Sequence, residues 1–409
     1  MLAERTKKIL LIVGFVCSVI GIGFLLYFLF LSPNRPSAIT PSNQAAGNTA
    51  GGLPVANTGQ PTTTTPTTGG QNLPEASEVA NGGLTKTTVL TTARVSDVAL
   101  STDGKSMNYY DNTDGRFYTI AADGSVTKLS NKQFPDVSNA TWNKSSEKAI
   151  IEFPDGSNVV YDFTSETQVT LPKHWEDFEF SPSNNTLIAK SLNLDSSNNT
   201  LLVANDDGSQ AKAVQALGNN AGKVQVSPSP NEQIIAFSDT AGDQGGGMTQ
   251  KMILPIGQNQ ENFKGLTVEG LGFESIWSPG GDILVYSTYG PFSDYKPLLW
   301  AVDGTVNSLG SDLRSLSINT WVEKCAFASD KIMYCAVPQE LEANAGLQPN
   351  LSKNIPDDVY KIDLTTGRSN LIARPADNVV MSNLSVTADG SLLYFSNASN
   401  GRLEYIKLK

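Results

Sequence analysis

What most constrains this chain is a short motif that keeps returning. Residues 275–287 read S-I-W-S-P-G-G-D-I-L-V-Y-S, an alternating strand, a Gly-Gly turn and a second alternating strand. The same shape recurs as Phe180-Ser181-Pro182 with 187–191, as Val226-Ser227-Pro228 with 234–238, and as Val386-Thr387 and Asp389-Gly390 with 392–396. Looser copies lie at Leu100-Ser101 with Asp103-Gly104, at Trp142-Asn143 with 149–153, and at Phe327-Ala328 with 332–335. About seven copies at a period of roughly 40 to 60 residues describe a repeat array, which can spend a long chain on one body.

Each copy reads as four strands. In the first they fall at 95–101, 106–111, 116–121 and 126–129, and in the fifth at 273–278, 283–288, 298–302 and 306–309. Asp123-Gly124, Asp207-Gly208 and Asp303-Gly304 sit between third and fourth strands, where a two-residue hairpin needs positive φ, and Thr365-Thr366-Gly367 fills that slot in the sixth copy. No helical period interrupts the pattern, so residues 85–409 are expected to be all-β. Four-stranded antiparallel units at this spacing predict a seven-bladed β-propeller, with six or eight blades also compatible with the looser copies. The last copy offers a first strand near 384–386, a second at 392–396, a third at 402–408, and no fourth. The run K-T-T-V-L-T at 86–91 precedes the first blade and is predicted to supply that missing outer strand, closing the ring without an open edge.

The copies F-S-P-S-N-N-T-L-I-A at 180–189 and W-S-P-G-G-D-I-L-V-Y at 277–286 resemble the WD40-like repeat of TolB-type propellers. The similarity runs from about residue 95 to 409 and implies a fold, with a role among envelope partners as its looser implication. It departs from TolB in blade number and in lacking that protein's small N-terminal α/β domain.

The beginning of the chain is of another kind. Residues 1–8 carry Arg5, Lys7 and Lys8, and 9–31 is an uncharged apolar run with Tyr27, Phe28 and Phe30 near its far end. At about 1.5 Å per residue it spans the roughly 30 Å hydrocarbon core of a bilayer. The basic flank predicts a cytoplasmic tail and a single-pass protein whose later residues lie outside the cytoplasm. A cleaved signal peptide is the competing reading; its apolar region would be shorter and followed by a small-x-small site, which favours the uncleaved anchor. Cys17 lies mid-span, where a buried apolar thiol is the plain reading. Residues 32–84, rich in Pro, Thr, Gly, Asn and Ser, hold almost no large apolar side chain and are expected to form a disordered stalk.

The formal net charge of −11 repels phosphate backbones, so the expected partners are the bilayer and an envelope protein, peptide or glycan, and not nucleic acid. His174 is the only histidine, which removes most imidazole catalysis and His-rich metal sites; no cofactor and no metal is expected. A G-x-S-x-G nucleophile turn is absent after the repeats. Asp103, Asp123, Asp155, Asp207, Asp303 and Asp389 each precede a glycine and read as turn residues; Asp111 to Gly115 is a polar loop lacking calcium-ligand spacing.

Cys325 and Cys335 flank a turn centred near Asp330 and fall opposite each other on adjacent strands, which permits a disulfide outside the cytoplasm, with two reduced core thiols as the alternative. In a meander blade the second-to-third loops share one face with the blade connectors. Those loops are long in three successive blades, at 239–250, 289–297 and 338–357. They place Asp239, Asp243 and Met248, then Tyr289, Phe292 and Tyr295, then Glu340, Glu342 and Asp357 on one rim, a mixture suited to recognition. The expectation is a non-catalytic binding or scaffolding module. The alternative is an envelope glycan hydrolase or lyase using paired carboxylates near the central channel or the rim.

Overall fold

The computed structural model describes residues 75–182, 186–242 and 250–409, which form seven successive antiparallel sheets. Blade 1 comprises Val95–Leu100, Met107–Asp111, Arg116–Ile120 and Val126–Lys128; blade 2 comprises Asn139–Trp142, Lys148–Glu152, Asn158–Asp162 and Thr167–Leu171. Blade 3 comprises Trp175–Phe180, Thr186–Ser191, Thr200–Asn205 and Lys212–Ala216; blade 4 comprises Val224–Val226, Ile234–Ser238, Gln250–Gly257 and Leu266–Glu269. Blade 5 comprises Leu271–Trp277, Ile283–Tyr289, Leu298–Asp303 and Arg314–Ser315; blade 6 comprises Cys325–Ser329, Ile332–Pro338, Asp357–Asp363 and Arg368–Pro375. Blade 7 takes Met381–Val386, Leu392–Asn397 and Arg402–Lys407 from the end of the chain and Thr88–Val89 from its beginning. The first strand of each blade is the inner one.

The recurring motif is a hairpin whose polar residue closes it. In blades 1, 2, 5 and 7 the N–H of Ser101, Asn143, Ser278 and Thr387 donates to the carbonyl five residues on, and the left-handed position falls on Gly104, Ser146, Gly281 and Gly390. The Asn143, Ser278 and Thr387 side chains then accept from the first N–H of the second strand at 3.0, 3.1 and 3.0 Å. The aromatic residue before the turn ties neighbours together: Trp142 Nε1 donates to Asp97 O at 2.7 Å and Trp277 Nε1 to Ser227 O at 3.1 Å, each in the preceding blade.

Seven apolar clusters fill the seven gaps between neighbouring blades. Between blades 1 and 2 the filling is aromatic, with Phe117 wholly buried among Phe134, Trp142 and Phe163; one such side chain contributes about 1.5–3 kcal/mol. Tyr394, Leu403 and Tyr405 of blade 7 pack with Val95, Met107 and Tyr109 of blade 1, so the ring is shut by the same kind of contact as the rest.

The closing strand lies where the sequence puts it, with Thr88 opposite Tyr405 and Val89 opposite Glu404 in antiparallel register. Leu403 N adds a bond to Thr91 Oγ1 at 3.0 Å. Residues 75–84, read from composition as the end of the stalk, lie against the body. Leu84–Thr85 extends the edge of blade 6 in parallel with Arg374 and Pro375, Ser77 bridges Thr85, and Ala80 N donates to Lys407 O at 2.8 Å. The expected tail, the expected membrane span at 9–31 and the stalk up to residue 74 lie outside the described residues. Among the described residues no helix is long and apolar enough to cross a membrane.

Two local expectations fail. The fourth strand of blade 5 is not 306–309 but Arg314–Ser315, opposite Trp300 and Ala301. Asp303-Gly304 makes no hairpin because Gly304 serves close approach: its N–H donates to Asp282 O at 2.8 Å, and a Cβ there would fall 2.7 Å from Gly281 O. The Asp303 carboxylate instead accepts from Thr305 N at 2.8 Å and turns the chain outward. Asp123-Gly124 and Asp207-Gly208 do make turns, but three-residue ones in which the glycine alone is left-handed, at φ 83° and 78°. This is a type I turn with a glycine bulge.

Candidate functional site

The long second-to-third loops of blades 5 and 6 are one surface. After Tyr289 the chain makes a short 3₁₀ turn at Pro291–Ser293, and Asp294 and Tyr295 both take left-handed φ, 51° and 55°. Their carbonyls accept from the neighbouring loop, Asn344 N to Asp294 O and Gly346 N to Tyr295 O, both at 2.8 Å. The Tyr289 ring lies against Gly346 on one side and Gly272 on the other, contacts that only residues without a side chain allow. Phe292 crosses Trp300 edge-to-face at 5.6 Å and stays 40% exposed, while Leu347 and Leu351 on the blade 6 loop are 48% and 73% exposed. Glu340 and Glu342 are exposed beside them. A cleft of about 360 Å³ runs between the two blades, lined by Lys296, Asn319, Pro338, Gln339, Leu341 and Asp358.

The other candidates divide. Asp239 is half-buried and paired with Lys251 Nζ at 2.7 Å. Asp243 and Met248 lie outside the described residues. Asp357 is no rim carboxylate: it is 0% exposed, accepts from Lys324 Nζ through both oxygens at 2.7 Å, and takes the N–H of Met381 at 2.7 Å. Burial pushes its carboxyl up, with Lys324 opposing. It fastens blade 6 to blade 7 and to the turn entering blade 6, because a strand that ends a long loop needs an anchor. Cys325 and Cys335 are joined by a disulfide across the first two strands of blade 6, Cα to Cα 4.1 Å. His174 precedes blade 3 and gives its carbonyl to Leu192 N at 2.7 Å.

Around the axis the inner strands carry polar residues that lie outside the repeat motif. Glu179 of blade 3 and Glu274 of blade 5 line two cavities of about 570 and 450 Å³ that share Gln225 and Val226 between them. Glu179 is open to these cavities yet walled in by protein, and this confinement, with Asp177 nearby, pushes its carboxyl up to about 7. Glu274 is also pushed up, by confinement and then by Glu323. Lys190 is buried beside them but is taken by Asp177 at 2.6 Å. The signal was a charged residue recurring inside a first strand, as in E-D-F-E-F and F-E-S-I-W, which an inner strand uses to face the lumen. Among the described residues no group of three or more His, Cys, Asp or Glu side chains is gathered to hold a metal ion.

No protein-family model matches the chain, and no curated protein does. Solved structures do. The β-propeller domain of Cps50 (Swd1) from Myceliophteria thermophila is 10% identical with a TM-score of 0.53, covering 79% of this chain and all of that one. An oligogalacturonate lyase in complex with manganese is 14% identical with a TM-score of 0.52, covering 78% of this chain and 89% of that one. An oligogalacturonate lyase from Vibrio parahaemolyticus is 8% identical with a TM-score of 0.53, covering 79% and 91%. Likeness at this level is likeness of fold, and these neighbours differ in function among themselves.

Proposed function

We propose that this chain is a membrane-anchored, extracytoplasmic propeller, similar to the TolB type in its repeats, that acts as a non-catalytic binding module for an envelope protein or peptide at the rim of blades 5 and 6. One observation carries the reading: two loops from different blades are bonded to each other and together display Phe292, Leu347 and Leu351 beside a cleft. An apolar patch with a polar border is how a protein surface offers itself to a partner. The anchor at 9–31 and the stalk behind it would hold this surface clear of the bilayer. The test is a crosslinking pull-down from intact membranes with full-length protein and a variant in which 291–296 and 340–355 are replaced by short turns. Envelope proteins captured by the full-length chain alone support the proposal; equal capture by both, with the variant still folded, rules it out.

A second reading rests on the lumen. Glu179 and Glu274 are carboxyls of raised proton affinity around an open cavity, the state a general acid needs in glycan cleavage. If an envelope glycan is depolymerised by the wild type and by neither Glu179→Gln nor Glu274→Gln, the protein is an enzyme. Turnover that survives both substitutions removes this reading.

A further inference from the structure

Blade 4 leaves half of its outer edge open. Its third strand, Gln250–Gly257, pairs inward with the second strand along 254–257, but the outer strand Leu266–Glu269 reaches only Gln250–Ile253. Where a fourth strand would continue, residues 258–263 swing away and leave a cleft of about 480 Å³ against the outer strand of blade 3. That volume is within the range of small-molecule sites, about 300–1,000 Å³.

The wall of this cleft is tied in place. A Cβ on Gly257 would fall 2.8 Å from Phe263 Cε2, so the glycine lets the aromatic ring close onto the strand. The Glu261 carboxylate folds back to accept from Asn259 N at 2.8 Å and Asn259 Nδ2 at 3.1 Å. Gln260 Nε2 reaches across to Val214 O of blade 3 at 3.3 Å. The groups left over are amides. Asn220 and Asn262 line the cleft with no side-chain hydrogen bond among the described residues, and Gln215 uses only its Nε2, on Ala216 O at 3.2 Å.

Charge and edge chemistry choose the ligand. Among the described lining residues the single ionised group is the Glu261 carboxylate, which turns away an anion and already spends lone pairs on Asn259 N and Nδ2. An extended peptide adding to the open edge would have only four residues to pair with, and one of them, Pro255, offers no N–H. Side-chain amides present a donor and an acceptor in one plane, which suits neighbouring hydroxyls, and the face of Phe263 suits the C–H side of a sugar ring.

We infer that the cleft between blades 3 and 4 is a binding site for a neutral oligosaccharide. It is separate from the rim of blades 5 and 6 and does not depend on what that rim binds. The test is isothermal titration of the full chain with four neutral tetrasaccharides (chitotetraose, cellotetraose, maltotetraose and mannotetraose), with tetragalacturonate and an uncharged tetrapeptide alongside. At least one neutral sugar should bind at one site per chain. Asn220→Ala with Asn262→Ala should weaken it by about tenfold at an unchanged melting temperature, since both side chains are exposed and unbonded. Phe263→Leu should weaken it as well. Binding of none of the four, preference for the acidic sugar or the peptide, or neutral-sugar binding untouched by the double substitution overturns the inference.

Discussion

Blades 2 and 6 carry the same connection, second strand to third, on the same face, and only the second is bonded to its neighbouring blades. In blade 2 five residues suffice. Phe153 N donates to Ser157 O and Gly156 N to Phe153 O, both at 2.9 Å, and Asp155 accepts from Ser157 N at 2.9 Å and Ser157 Oγ at 2.7 Å. In blade 6 the connection from 339 to 356 also bonds within itself, as in Gln339 N to Pro356 O at 2.9 Å, but it adds partners elsewhere, Asp294 and Tyr295 in blade 5 and, at its base, Lys324 and Met381 of blade 7 through Asp357. A turn satisfied within itself can vary without its neighbours noticing. A loop that also bonds to its neighbours makes three blades answer to one another.

The largest effect should separate the two aspartates. Asp357→Ala leaves a mostly buried ammonium and a buried N–H without a partner and should cost about 3–5 kcal/mol. Asp155→Ala removes an exposed carboxylate whose ion pair with Lys173 is screened by solvent and should lower the urea midpoint far less; equal shifts would erase the contrast. Next come the glycines. Gly346→Val drives a side chain into Tyr289 and should cost about 1–3 kcal/mol, with faster amide exchange in 290–297 of the other blade. Gly156→Ala forces φ +77° on a residue with a Cβ, about 1–2 kcal/mol, and should leave exchange in the adjoining blades untouched.

The two carboxyls should also titrate in opposite senses. The Ser157 hydroxyl, with Lys173, holds Asp155 down at about 2, below an unfolded value of about 3.9. Its share of stability is therefore present above pH ~3.9 and lost as pH falls toward 2, and Asp155→Asn should flatten that limb of a thermal-melt series. Asp357 is raised by burial, so the native state holds its proton longer than the unfolded chain. Relative to Asp357→Asn, the wild type should lose stability as pH rises through the window above about 3.9. The smallest effect lies beneath the blade 5 loop. Thr288 is 1% exposed with Oγ1 unbonded among the described residues, and Thr288→Val should be neutral or stabilising by up to about 1 kcal/mol by chemical denaturation.

Much of the fold was legible because its signals are local. The Ser278 to Ile283 hairpin is closed by atoms five residues apart, so its sequence is its geometry, and the same holds for Thr387 to Leu392. The closing strand at 86–91 is legible from the strand count, one short in the last copy and one spare before the first. Asp303-Gly304 misled because the dipeptide does not say whether its glycine serves φ or space. Asp357 misled for a similar reason: it stands beside a long polar loop in sequence, and only the packing of blade 7 shows that it points inward. Glu179 and Glu274 do not stand out in the sequence because an alternating strand looks alike whether its polar face meets bulk water or a lumen. The cleft beside blade 4 depends on where an outer strand stops, and Leu266 gives no warning of that.

The lead into the ring is held by two strands of two residues each, and this fixes how it bears load. Once the single bond from Ala80 to Lys407 gives way, a pull applied at residue 75 meets the pairing of Leu84–Thr85 with blade 6 before it meets Thr88–Val89 on blade 7. The two contacts stand in series, so they form a stepped latch: the first can yield and lengthen the lead by a few residues while the ring stays shut. Only when the second slips does blade 7 lose its outer strand, so a steady tug is absorbed at the seam before it reaches the face that carries the loops.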